Sequence, residues 1–162
     1  MFRSEKGVSA VEFALISPLL FVLTFAIVEF GLLLFDKAVV TNASREGARA
    51  AIVYSSELDA AGTPQYDPLT KQEVKEVVKS YANPLLINLG VAGANDLSDA
   101  DIVITYYDSA GAVVSDAESE GDVKVDVTYT YDFLVFPNLT TLIGGSFSGN
   151  IDLLGTTLMR ME

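Results

Sequence analysis

The sequence predicts an α+β chain in which one long N-terminal helix spans a membrane with its first half and packs on an antiparallel β-sheet of about four strands with its second. Three observations predict this. From Ala14 to Phe35 the only charge is Glu29, and counting Phe13 the apolar run is about 23 residues, roughly 34 Å as helix, enough to cross a bilayer. From Asp36 to about Tyr54 the chain turns alanine-rich, with small residues at helical spacing. The second half changes to a period of two: Val123, Val125, Val127, Tyr129 and Tyr131 alternate with Lys124, Asp126, Thr128, Thr130 and Asp132, as in a sheet with one buried and one wet face.

The 162 residues leave room for one span and a single domain of roughly 100 residues. The net charge of −12 is unevenly spread, since from Leu58 onward sixteen Asp and Glu face five Lys and Arg. Such a surface repels phosphate backbones and excludes nucleic acid as a partner. Cysteine and histidine are absent, which removes thiol nucleophiles, disulfides, thiolate or imidazole zinc sites and Ser-His-Asp triads. Neither an enzyme nor a cofactor is expected.

Met1–Lys6 is short and polar and reads as a leader, so the predicted division is 1–7 leader, 8–57 long helix with its span at 13–35, and 58–162 soluble α+β domain. A secretory signal fits less well, because its apolar region is shorter and is followed by a small-residue cleavage site. Here the small residue, Gly7, precedes the run, and the run leads without a break into Asp36-Lys37. Arg3 and Lys6 favour a cytoplasmic N-terminus, although Lys37, Arg45 and Arg49 lie beyond the span. Within it, Pro18 removes a backbone donor and predicts a kink or local loosening. Glu12 at the inner edge must be paired or snorkel to the interface. Glu29, near the outer end, either pairs with a partner subunit or reaches the outer interface. Ala43, Gly47 and Ala51 form a smooth stripe at four-residue spacing for close helix packing, on the domain's own sheet or on another helix. Glu46 and Arg49 can pair at i, i+3.

Further along, Glu57–Leu69 carries Gly62, Pro64 and Pro68 and reads as a loop. Thr70-Lys71-Gln72-Glu73 is a capping box opening a helix with Val74, Val77, Val78 and Tyr81 on one face, stopped by Asn83-Pro84. Leu85–Ala100 shows no clear pattern. Asp101–Tyr107, the turn Asp108-Ser109-Ala110-Gly111 and Ala112–Ser115 make a hairpin, and Phe147–Leu158 is the last strand. The apolar stretch Phe133–Ile143 either folds back onto the core or forms an exposed contact patch. The acidic residues Asp96, Asp99 and Asp101 with Asp116, Glu118, Glu120 and Asp122 lack the ordered spacing of a calcium loop and read as a solvated surface. No two carboxylates are placed for glycosidase chemistry.

A leader with Arg3 and Lys6, then Gly7, four residues, Glu12-Phe13 and a membrane-length helix resembles the type IV prepilin class. Val28-Glu29-Phe30-Gly31 and Thr41-Asn42-Ala43-Ser44-Arg45-Glu46-Gly47-Ala48-Arg49-Ala50-Ala51 resemble the TadE-like minor pseudopilins of the tight-adherence (Tad) pilus system, as does the C-terminal Thr157-Leu158-Met159-Arg160-Met161-Glu162. Specific motifs carry the resemblance through about Val53; beyond that it is one of overall pattern. It implies a pilin-like fold, cleavage between Gly7 and Val8 by a prepilin peptidase, and a role in assembling or displaying an adhesive pilus. Glycine suits the cleaved position because it resists least when the bond is drawn out straight. The resemblance further implies that Glu12, with Phe13 beside it, meets the α-amino group freed on a neighbouring subunit; an ammonium and a carboxylate would neutralise each other in an apolar bundle. The partners implied are the peptidase, other pseudopilins and the pilin of the same system, the inner-membrane assembly platform and the lipid bilayer. The location implied is a single pass through the inner membrane, with the C-terminal domain periplasmic or extracellular. Val8 stands where many type IV pilins have an aromatic first mature residue, which leaves N-methylation open. The other reading is a membrane-tethered periplasmic binding or adhesion module with an uncleaved anchor; only a pilin-type subunit needs Val8 freed and Glu12 kept.

Overall fold

The computed structural model describes residues 5–58, 64–87, 96–115, 121–135 and 149–161. Its contacts divide the chain into two compact units. The first holds the N-terminal helix through Leu34 and the segment that opens at Phe133; the second runs from Phe35 to Asp132 and resumes at Asn150. A single helix, α1 (Glu5–Ala51), contributes to both and is unbroken at Pro18.

In the first unit, α1 shows its apolar side chains on every side. Phe13, Leu15, Leu19, Phe21 and Leu23 are all more than half exposed. Only 6% of the most apolar eighteen-residue window is buried, whereas the core helix of a water-soluble domain buries a full stripe. By length and composition the helix is able to cross a membrane. The companion segment is clasped at its base, where the Phe133 N–H donates to the Gly149 carbonyl at 2.8 Å and Gly149 takes φ 82°.

The second unit is the α+β body. Its main sheet is antiparallel with strand order β4-β3-β5-β6, formed by β3 (Ile102–Tyr107), β4 (Val113–Val114), β5 (Asp122–Asp132) and β6 (Asn150–Arg160). On β5, Val123, Val125, Val127, Tyr129 and Tyr131 are buried and the residues between them are not, so period-two alternation sets the face. Against that face lie the second half of α1 and α2 (Lys71–Ala82), which buries Val74, Val78 and Ala82. Thr70 caps α2: its Oγ1 accepts from the Glu73 N–H at 3.3 Å, and the Glu73 carboxylate accepts from the Thr70 N–H at 2.8 Å. Asn83 ends it, donating from its N–H to the Lys79 carbonyl.

Several boundaries differ from the sequence reading. The helix stops at Ala51 rather than near 57, with the Val53 N–H turning back to the Ala50 carbonyl at 3.1 Å. At the ends of the expected loop at 57–69, β1 (Tyr54–Leu58) pairs antiparallel with β2 (Pro64–Pro68), and residues 59–63 lie outside the described residues. Ile52-Val53-Tyr54 is β-branched and aromatic and favours extension, and two prolines of equal parity can both turn their nitrogens to the ribbon's open edge. The second compact unit begins at Phe35, inside the helix. The return strand of the second hairpin is only Val113–Val114, β6 starts at Asn150 and extends to Arg160, and a 3₁₀ turn at Asp99–Asp101 closes the stretch without a pattern, whose residues 88–95 lie outside the described residues. Met1–Ser4, the acidic 116–120 loop, residues 136–143 of the apolar stretch and residues 147–148 of the expected last strand lie outside the described residues.

Candidate assembly site on the N-terminal helix

Gly7, Val8, Glu12 and Phe13 all lie on the exposed early turns of α1, with Val8 61% and Phe13 67% exposed. Val8 and Glu12 are four residues apart and so share one face, one turn from each other. Phe13 belongs to the apolar surface that follows. These four residues are in the first unit, whereas Ala43, Gly47 and Ala51 are in the second, and all three are buried there.

At the middle of that small-residue stripe, a Cβ on Gly47 would meet Val78 Cγ2 at 2.4 Å and Val125 Cγ1 at 3.3 Å. At Gly47, α1 therefore lies close against α2 and β5 of its own domain. A second close approach, invisible in the sequence, fixes α1 to β6. A Cβ on Gly155 would lie 2.5 Å from the Val40 carbonyl oxygen and 3.1 Å from Thr41 Cα. Beside it, the hydroxyls of Ser44 and Thr157 are hydrogen-bonded at 2.7 Å, and Lys37 Nζ donates to the Leu154 carbonyl. Glu46 and Arg49 face each other across 4.0 Å on the open side, a solvated pair of little energetic consequence.

Two carboxylates have partners that sequence reasoning missed. Glu29, only 3% exposed, accepts through Oε1 from the Leu134 N–H and, at 3.0 Å, from the Val135 N–H. This partner lies within the chain, where the sequence suggested another subunit or the outer interface. Asp36, the first residue past the apolar run, is fully buried, and its Oδ1 accepts from the Ile87 N–H at 2.9 Å. Burial pushes its carboxyl above the ordinary range while the Ile87 amide pulls the other way. Burial and then the charge of Asp36 push the nearby Tyr129 phenol up to about 12. Both carboxylates are paired with amides more than fifty positions along the chain, which no local pattern announces.

Of the acidic residues near 96–101, Asp99 and Asp101 are engaged in hydrogen bonds to α2 and to Ser98. Asp99 accepts from Lys79 Nζ at 2.7 Å and from Gln72 Nε2 at 3.0 Å, and the Lys79 ammonium holds its carboxyl below the ordinary range. Asp101 accepts from both the N–H and the hydroxyl of Ser98. Among the described residues no three carboxylates converge in a way that would hold a metal ion.

Comparison with known proteins bears on the same helix. Residues 7–49 match the TadE-like protein family, a stretch that begins at the candidate cleavage glycine and ends two residues before α1 does. The chain carries a TadE-like domain at its N-terminus. The TadE-like family is structural and non-enzymatic and belongs with the Tad pilus, and the apolar helix is the part of this chain suited to membrane anchoring. The chain is also similar to the cell division topological specificity factor of Xylella fastidiosa (strain M12), 32% identical over 78 residues, which is 46% of this chain and 92% of that protein. The two likenesses point to different roles. The TadE-like match falls within one helix, α1. No solved structure matches the chain.

Proposed function

We propose that the TadE-like chain is a minor pseudopilin of a Tad-type pilus, freed from its leader between Gly7 and Val8 by a prepilin peptidase and then assembled with other pseudopilins and pilin at the inner membrane. One observation supports this reading above the rest: the TadE-like segment coincides with a helix divided by environment. Its first part exposes apolar side chains all round with Glu12 one turn past Val8, and its second part packs one face on its own domain. With one face of its second half already packed on its own domain, the helix offers its apolar first half to other subunits and lipid. Cleavage would create an ammonium at Val8 within a turn of Glu12, and in an assembled bundle the Glu12 carboxylate neutralises the ammonium of the neighbouring subunit. The Gly7–Val8 bond lies inside α1, so the peptidase must first unwind that turn; glycine lowers the cost by about 1 kcal/mol relative to alanine. In this reading the N-terminus is cytoplasmic and the α+β body lies on the far side of the membrane.

Intact-mass analysis of membrane-purified protein from cells with an active peptidase tests it. The chain should begin at Val8, and Gly7→Val should restore the mass of the leader. A native chain that keeps Met1–Gly7 would favour an uncleaved anchor on a periplasmic binding or adhesion module.

A further inference from the structure

The first unit contains a segment that a membrane anchor alone does not require. Glu29 lies six positions before Phe35, the last residue of the apolar run, and therefore about 9 Å inside the outer end of the span. A carboxylate at that depth is tolerated only when the protein itself supplies its hydrogen-bond donors. Here the donors are the backbone N–H groups of Leu134 and Val135, which leave the Glu29 side chain almost entirely shielded. These amides cannot reach Glu29 without bringing their own residues to the same depth.

Those residues are Leu134 and Val135, with Phe133 next to them in the chain, and the Leu134 side chain is 56% exposed. Phe25, Val28 and Phe30 on the neighbouring turns of α1 are exposed to much the same degree. At one depth and on one compact unit, these side chains meet one medium, and for the helix that medium is lipid. We propose that Phe133–Val135 is a second membrane-contacting element, a wedge seated in the outer interface of the bilayer and fastened to the span by the Glu29 carboxylate. This rests on the reading of α1 as a membrane span. The wedge's occupant is the acyl and headgroup boundary of the lipid. Glu29 is then a positioning residue: its charge serves to hold an apolar segment at membrane depth. The Phe133–Gly149 hydrogen bond closes the base of the same segment.

The chain has no tryptophan, so a single introduced one reports without background. In the full chain reconstituted in phosphatidylcholine vesicles, Phe21→Trp in the span, Leu134→Trp in the wedge and Val113→Trp on β4 would be compared for emission wavelength and for quenching by lipids brominated near the headgroup or deep in the chain. The tryptophan at 21 should be quenched by deep bromines, that at 134 should be blue-shifted and quenched by shallow ones, and that at 113 should be neither. Adding Glu29→Ala to Leu134→Trp should move emission and quenching toward those at 113, whereas Glu29→Gln, whose amide oxygen accepts the same N–H groups, should preserve them. Quenching at 21 with none at 134 would overturn the wedge while leaving the span intact. Absence of quenching at both positions would refute the span, and the wedge with it. Quenching at 134 that survives Glu29→Ala unchanged would overturn the role assigned to Glu29.

Discussion

Replacing Gly155 by alanine is the most informative perturbation of the α+β body, because propensity and geometry predict opposite signs. In an ordinary extended site Gly→Ala stabilises by roughly 0.4–1 kcal/mol, since the unfolded chain loses freedom. Gly155 sits in β6 opposite Val127, and the new Cβ would lie 2.5 Å from the Val40 oxygen, 2.9 Å from the Val40 carbonyl carbon and 3.1 Å from Thr41 Cα. All three are backbone atoms of α1, so no rotamer change relieves the overlap. Helix and strand must separate by about an ångström, which also strains the Ser44–Thr157 hydrogen bond. Overpacking of this kind costs about 1–3 kcal/mol, and setting the propensity gain against it leaves a net loss of about 1–2 kcal/mol. For a domain of roughly 100 residues that corresponds to a fall in Tm of about 4–16 °C. Gly47→Ala is the matched comparison, because its overlap at 2.4 Å is with a single methyl, Val78 Cγ2. Truncating that neighbour in Gly47→Ala/Val78→Ala should recover part of the loss from Gly47→Ala, a favourable coupling in a double-mutant cycle, whereas no side-chain truncation should rescue Gly155→Ala. Thermal unfolding of the full chain in detergent, followed by tyrosine circular dichroism, reads these three variants and Val78→Ala, which completes the cycle. An unchanged or raised Tm for Gly155→Ala would refute the close approach of α1 to β6.

Two further outcomes concern the body. Val127 is completely buried, so Val127→Asp should prevent folding, whereas Asp126→Asn, which weakens only the exposed contacts to Thr156 and Lys124, should shift stability by less than about 1 kcal/mol; equal melting of the two would mean the sheet faces are reversed. Asp36 holds its proton in the fold more tightly than in the unfolded chain, so its contribution to stability is present at low pH and declines as pH rises from 3.8 through the raised value. Asp36→Asn should flatten that part of the Tm–pH curve, and an identical slope in the variant would place the titration elsewhere.

Much of this architecture is legible in the residues because it is periodic. The unbroken apolar run, the alternation on β5 and the reciprocal Thr70–Glu73 cap each repeat or close within a few positions, and each is present in the structure. What escapes is non-local or lacks apolar contrast. Tyr54–Leu58 and Pro64–Pro68 pair through backbone with no hydrophobic alternation, and two prolines argue against a strand unless its edge is open. Gly155 reads as an incidental strand glycine until Val40 stands against it. The partners of Glu29 and Asp36 are backbone amides, which every residue but proline carries, so composition cannot single out Leu134, Val135 or Ile87.

The proposal that this TadE-like helix assembles rather than merely anchors turns on Glu12. If its carboxylate meets the Val8 ammonium of a neighbouring subunit in an apolar bundle, Glu12→Gln leaves that ammonium buried and unpaired, while membrane insertion and leader removal are unaffected. If Glu12 only snorkels, the neutral glutamine inserts more readily and nothing is lost. The direct measurement is co-purification of partner pseudopilins with cleaved wild type and cleaved Glu12→Gln at matched abundance, scored alongside surface adherence. The account predicts a sharp loss of both in the variant; co-assembly indistinguishable from wild type would contradict it.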